Sequence, residues 1–143
     1  MHLEDWLIAQ ANARGVHGAW VIGGPVARDE RLTFEDIVVG LCMPHAVADV
    51  RVFKLVLRIL QTGMVDGPRL ARLARMERAE GVLHWLCAGV PAAERNPAFE
   101  EIAACFALVP RGWRELRLTY DFGRLLRRPF RLEEASWNRS SAS

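Results

Sequence analysis

Arginines and aromatic rings alternate along residues 111–131, and such a composition suits contact with an anionic partner. The segment holds seven arginines but two acidic residues. Guanidinium groups attract anionic groups, and rings interleaved with them stack on bases or fill apolar pockets. We therefore predict that the residues that bind a partner protein or nucleic acid are Arg111, Trp113, Arg114, Arg117, Tyr120, Arg124, Arg127, Arg128 and Arg131. The competing interpretation is an arm whose rings pack on the core while its arginines reach water or the acidic N-terminal third.

A second pair of residues with chemical potential is Arg78 and His84, which five residues separate. This spacing resembles the arginine–histidine motif of small helical ribonucleases of the HEPN kind. The resemblance implies a dimer in which the pair meets its copy and acts on a ribose 2′-hydroxyl. The competing interpretation is a partly buried histidine, because Trp85 and Leu86 follow it in an apolar helix.

Arginines also recur at every third position from Arg69 to Arg78. A helix turns by about 100° per residue, so successive members of this series drift about 60° around the helix. They therefore cannot all face one phosphate backbone, and Glu77 and Glu80 lie within reach for salt bridges. We interpret the series as a solvated face, formed by Arg69, Arg72, Arg75 and Arg78.

The sequence offers no recognisable metal, nucleotide or nucleophile motif. The four histidines are scattered, and the three cysteines stand singly in apolar surroundings, without a CxxC pair. Zinc sites need clustered ligands, and phosphate-binding loops need glycine-rich signatures that the chain lacks. We therefore expect no metal and no cofactor, and reduced, buried thiols at Cys42, Cys87 and Cys105.

Length and composition favour one globular domain. The chain has 143 residues, of which half are apolar and a quarter are charged. No apolar run approaches the ~18 residues of a membrane span, and acidic residues near the N-terminus disfavour a secretory signal. We therefore predict a cytoplasmic protein without membrane contact. Its single domain would span residues 1–137, with a C-terminal arm over 109–137 and a frayed tail over 138–143.

Helical periodicity is clearest in the stretch 50–89, around which we expect the fold to be organised. Start and stop signals flank the other periodic segments: Thr33 and Asp66 suit helix N-caps, and prolines or glycines follow the apolar runs. The predicted helices cover residues 3–13, about 34–43, 46–61, about 67–79, 82–88 and about 99–106. The fold class is thus mostly α, a bundle of five to six short helices with a helix-turn-helix-like central hairpin and an irregular arm.

Two further resemblances bear on function. The turn at Gly63, followed by Val65, Leu70 and Ala71, is similar to the turn and second helix of winged-helix DNA-binding domains, which would make residues 80–87 the recognition helix. The segment 109–113, Val-Pro-Arg-Gly-Trp, is similar to the tails of accessory subunits of the methanobactin type. That similarity implies a partner that is a metal-dependent peptide-modifying enzyme.

Apolar content and five tryptophans suggest more apolar surface than a small core needs. We therefore predict a non-catalytic accessory or adaptor subunit that binds another protein in a heteromeric complex of bacterial type. The alternatives are a nucleic-acid-binding regulator that uses the hairpin and the arm, a HEPN-like ribonuclease, and the partner subunit of a peptide-modifying enzyme.

Overall fold

Helices account for the regular structure of the chain. The computed structural model describes residues 3–17, 25–43 and 50–108. Within these ranges the chain forms six α-helices and one short 3-10 helix, and no strand. Their bounds are α1 Leu3–Ala13, α2 Phe34–Leu41, α3 Val50–Leu60, α4 Gly67–Met76, α5 Glu80–Ala88, the 3-10 helix Ala92–Glu94, and α6 Pro97–Cys105. The prediction of a mostly helical bundle of five to six helices is confirmed.

Helix α3 lies at the centre of the core. Five of its apolar residues are completely inaccessible to solvent: Leu55, Val56, Leu57, Ile59 and Leu60. The helix packs against α2, α5 and α6, whereas α4 covers α2, α5 and α6 from another side. Such a broad apolar face is typical of a helix that the rest of the fold surrounds. The prediction that the central stretch organises the fold therefore holds for α3.

Side-chain caps fix where three of the helices begin. Thr33 caps α2: its hydroxyl accepts the N–H of Asp36, and the Asp36 carboxylate accepts the N–H of Thr33 at 2.9 Å. Asp66 and Asn96 accept backbone N–H groups in the first turns of α4 and α6. Each bond satisfies a donor that the helix itself cannot satisfy. Prolines in the first turns of α4 and α6 complete these starts.

A polar clasp joins α1 to the segment before α2. The side chain of Gln10, which is 1% exposed, donates to the Ala27 carbonyl and accepts the N–H of Asp29, both at 2.9 Å. Arg14 donates to the side chain of Gln10 at 2.7 Å and to the Leu32 carbonyl at 2.6 Å. Because α1 packs on α2, this clasp fixes both ends of the connection between them.

The break between α4 and α5 lies slightly earlier than the sequence suggests. We expected it near residues 79–81, because glycine disfavours helix interiors, but Gly81 is buried inside α5. The chain instead leaves the helix at Arg78, whose φ of 60° is left-handed. The Ala79 N–H then donates to the Ala74 carbonyl at 2.8 Å, the bond that closes a Schellman turn.

No helix among the described residues is long and apolar enough to cross a lipid bilayer. The predicted arm over 109–137 and the predicted tail over 138–143 lie outside the described residues.

Candidate functional site

The residues predicted to contact a partner, Arg111 to Arg131, all lie outside the described part of the chain. That prediction therefore stays a prediction. Among the described residues, exposed apolar and charged groups combine on the outward face of α4 and in the turn at Arg78 that follows it. We define the α4 face as Arg69, Arg72, Arg75, Met76 and Arg78.

Helix α4 is anchored on one side and open on the other. Leu70 and Ala74 are fully buried and point into the core, where α4 packs on α2, α5 and α6. With a turn of about 100° per residue, Arg72 lies opposite these two residues, and Met76 follows it one turn later. The helix therefore holds an outward surface on a fixed base.

Three arginines and one methionine occupy this outward surface. Arg69, Arg72 and Arg75 fall within an arc of about 120°, as a drift of about 60° per member predicts. Met76 is 74% exposed, one of the most exposed large apolar side chains in the described ranges. No acidic residue occurs between Gly67 and Met76, so the outward arc of the helix carries positive charge, and the exposed carboxylate of Glu77 follows at its end.

Two of the arginines are held by carboxylates at the margin of the face. The Arg69 Nε lies 3.4 Å from a carboxylate oxygen of Glu35, and the Arg75 Nε lies 3.7 Å from one of Glu80. Arg75 is 70% exposed, so its pair adds little stability, whereas Arg69 is half-exposed and lies over a buried carboxylate. Both pairs restrict where the guanidinium groups lie. The predicted solvated, ion-paired face is confirmed for these two residues, although Arg69 uses Glu35 instead of a nearby helical acid.

Glu35 is an unusual partner because its side chain is 8% exposed. Burial raises the pKa of this carboxyl, since the charged form loses contact with water. The backbone N–H of Glu35, the charge of Arg69 and the backbone N–H of Asp66 oppose that effect but do not cancel it. Glu35 thus links α2 to the start of α4 and lies beneath one edge of the α4 face.

Arg72 and Arg78 differ from these two arginines. Among residues 3–17, 25–43 and 50–108, no carboxylate lies within salt-bridge distance of Arg72 or Arg78. Both side chains are exposed. Arg78 also occupies a left-handed backbone position that glycine would fill without strain. Its side chain extends from the end of α4, just beyond Met76.

Most residues of the segment that the winged-helix resemblance makes a recognition helix serve the packing of α5. Helix α5 turns most of its surface to the core, because it buries Val82, Leu83, Leu86 and Cys87. A recognition helix needs an exposed face that enters a groove of DNA, whereas on α5 only Ala88 is exposed and Glu80, His84 and Trp85 are half-buried. The burial of α5 therefore does not favour residues 80–87 as a recognition helix, and that alternative stays a prediction.

His84 makes a structural contact. Its Nδ1 lies 2.6 Å from the carbonyl oxygen of Phe106, just after α6, so this nitrogen carries the proton and donates. The ring is half-buried. Arg78 lies outside α5, in the turn that precedes it, and is exposed. The interpretation of His84 as a partly buried histidine agrees with these contacts.

A groove of about 380 Å³ lies between α5 and α6. Four alanines form much of its wall, together with His84, Cys87, Arg95 and Glu100. Arg95 is committed to structure, because it donates to the carbonyls of Cys87 and Val90 at 2.9 and 3.0 Å. Burial raises the pKa of the Cys87 thiol to about 12, so the sulfur stays protonated and unreactive near neutral pH.

Potential metal ligands do not cluster among the described residues, where no group of three or more histidines, cysteines or acids could hold an ion. Cys42 and Cys87 are buried thiols, as predicted, but Cys105 is exposed. The prediction that all three thiols are buried was therefore wrong for Cys105. That residue lies in the last turn of α6, where its Sγ is 3.6 Å from the Glu101 carbonyl oxygen.

Sequence reasoning missed Met76 as part of a surface. The signal was present in the i, i+4 spacing of Arg72 and Met76 and in the absence of acids from residues 67–76.

Comparison with known proteins adds no assignment: no protein-family model, no curated protein and no solved structure matches this chain.

Proposed function

We propose that this chain is a non-catalytic, cytoplasmic subunit that binds a partner protein. The observation that carries the proposal is the α4 face, where Met76 is 74% exposed between arginines that lack a carboxylate partner in the described ranges. Methionine and arginine are enriched at protein–protein interfaces, and an exposed apolar side chain gains by leaving water.

The base of the α4 face also supports binding. Leu70 and Ala74 fix α4 in the core, and the pairs Arg69–Glu35 and Arg75–Glu80 restrain its margins. A surface that is ordered before binding loses less conformational entropy when the partner arrives. The α4 face therefore suits a preformed contact that needs no rearrangement of the bundle.

The test is affinity purification of the tagged, full-length chain from its native host. We expect a partner protein to co-purify in a fixed ratio and to co-elute in size-exclusion chromatography. Met76→Gln should reduce the recovered partner by about tenfold, because it removes an apolar anchor from the contact. Met64→Gln is the matched control, since Met64 is 64% exposed but precedes α4, and it should retain the partner.

Two results would contradict the proposal. One is recovery of the chain without any stoichiometric protein. The other is co-purification of nucleic acid whose retention falls steeply with salt, which would favour the nucleic-acid-binding regulator.

A further inference from the structure

We infer that the α4 face binds an acidic segment of its partner, with Met76 as the apolar anchor and Arg72 and Arg78 as the charge contacts. This inference rests on the proposed function, because it assigns the chemistry of the partner to that surface. It goes further in naming the sign of the partner's charge and the residues that contact the charged groups.

The distribution of charge on the α4 face sets the sign of the partner. Residues 67–76 contain three arginines and no acid. Glu35 and Glu80 offset Arg69 and Arg75 at the margins, so within the described ranges Arg72 and Arg78 are the arginines of the face that a partner can neutralise. Complementary charge across an interface steers association and suppresses wrong partners.

The spacing of the contacts fits a peptide segment. Arg72 and Met76 are neighbours one helical turn apart, with about 5–6 Å between their Cβ atoms. Arg78 follows Met76 beyond the helix end, where the bond from the Ala79 N–H to the Ala74 carbonyl fixes the turn. A segment that carries one apolar residue between two carboxylates therefore matches the order Arg72, Met76, Arg78.

The exposed methionine distinguishes a protein segment from a nucleic-acid backbone. Phosphates and sugars offer no apolar pocket, so Met76 would lose water without gaining a partner. The exposed carboxylate of Glu77, next to Met76, opposes any anion at this surface. Its repulsion acts on a line of phosphates as well as on a carboxylate, but a protein segment offsets it by burying Met76.

The experiment uses three fluorescently labelled probes against the full-length chain. The first is a synthetic peptide in which glutamates flank leucines at helical spacing, and the second has glutamine at each glutamate position. The third is a single-stranded oligonucleotide of the same net charge as the first peptide. Fluorescence anisotropy gives the affinity for each probe.

We expect the glutamate peptide to bind at least about tenfold more tightly than the glutamine peptide and the oligonucleotide. Arg72→Gln and Arg78→Gln should each weaken its binding by about tenfold, and Met76→Ala by about fivefold. Glu77→Gln should strengthen binding, because it removes the local repulsion. Arg31→Gln is the charge-matched control, since Arg31 is 93% exposed in the segment before α2, and it should bind like the wild type.

Three results would overturn the inference. They are equal affinity for the two peptides, tighter binding of the oligonucleotide, and losses at Arg72 and Arg78 no larger than that at Arg31. The native partner separates this inference from the proposed function. If that partner co-purifies undiminished with the Arg72→Gln/Arg78→Gln double variant, the acidic contact is wrong while the proposed function stands. If no partner co-purifies but the glutamate peptide still binds selectively, the proposed function fails instead.

Discussion

Glu35 shows how a single buried charge couples two helices. Its carboxylate lies under Arg69 and reaches the backbone at the start of α4. A carboxyl whose pKa is raised by folding stabilises the fold fully below its unfolded pKa, near 4.5, and loses that contribution as the pH rises through the folded pKa. Near neutral pH, Glu35 therefore lowers the stability of the fold relative to its protonated form.

A substitution at Glu35 tests this sign. Glu35→Gln keeps the shape of the side chain but cannot ionise. The free energy of unfolding of the variant, minus that of the wild type, should therefore increase between about pH 4.5 and about pH 7.5. Urea denaturation at both pH values measures the difference. Glu77→Gln removes an exposed carboxyl and serves as the matched control. A shift in favour of the wild type with rising pH would refute the role assigned to burial.

The clasp between Gln10 and the segment before α2 makes a second prediction at the residue scale. Gln10→Ala removes the acceptor of the Asp29 N–H and of Arg14, so it should lower the free energy of unfolding by about 1–3 kcal/mol. Gln61→Ala, at the end of α3, is the control, because the Gln61 side chain makes no hydrogen bond among the described residues. Thermal or urea denaturation compares the two variants, and equal losses would contradict the account.

The starts and ends of helices were the most predictable part of this fold. Thr33 and Asp66 predicted the starts of α2 and α4, because a short polar side chain before an apolar run accepts a free backbone N–H of the first helical turn. Gly63, with a φ of 78°, follows α3, as its freedom to adopt left-handed backbone suggests. These signals act within four residues, so they need no knowledge of the rest of the chain.

The end of α4 was less predictable, because an arginine occupies a position that favours glycine. We predicted the break near Gly81 because glycine disfavours helices, yet the tertiary packing of α5 holds Gly81 in a helix. Arg78 adopts the left-handed conformation instead, since the Schellman bond and the buried Ala74 and Ala79 fix the turn. Tertiary contacts here override the local preference.

This turn makes a prediction at the element scale. Arg78→Gly should raise the free energy of unfolding by about 1 kcal/mol, because glycine adopts a φ of 60° without the clash at Cβ. Arg78→Ala retains the Cβ, so it should give no such gain, and it controls for the loss of charge. Chemical denaturation measures both variants. Destabilisation by Arg78→Gly would show that the turn is not strained.

At the scale of the whole molecule, α3 supplies much of the buried core. Leu57 is fully buried at its centre, so Leu57→Ala should cost about 2–5 kcal/mol through lost burial and the cavity left behind. Leu3, at the start of α1, is 63% exposed, and Leu3→Ala should change stability by less than about 0.5 kcal/mol. Denaturation curves of the two variants test whether Leu57 belongs to the core, and similar losses would argue against it.

The candidate site could be predicted only in part. Charge and periodicity identified the arginines of α4 as a solvated face, but they do not tell which exposed side chains lie side by side once neighbouring helices cover the rest. Met76 illustrates this limit, because the same residue at the same spacing would be core if α5 or α6 covered it. Burial depends on the packing of distant elements, which no local pattern encodes.

The most direct measurement of the central claim is site-specific photo-crosslinking in the native host. A photoreactive amino acid replaces Met76 in one version of the chain and Met64 in another, and crosslinked species are identified by mass spectrometry. A surface that binds a partner protein should give one dominant protein crosslink from position 76 and little or none from position 64. Equal crosslinking from both positions, or crosslinks to nucleic acid, would contradict the account.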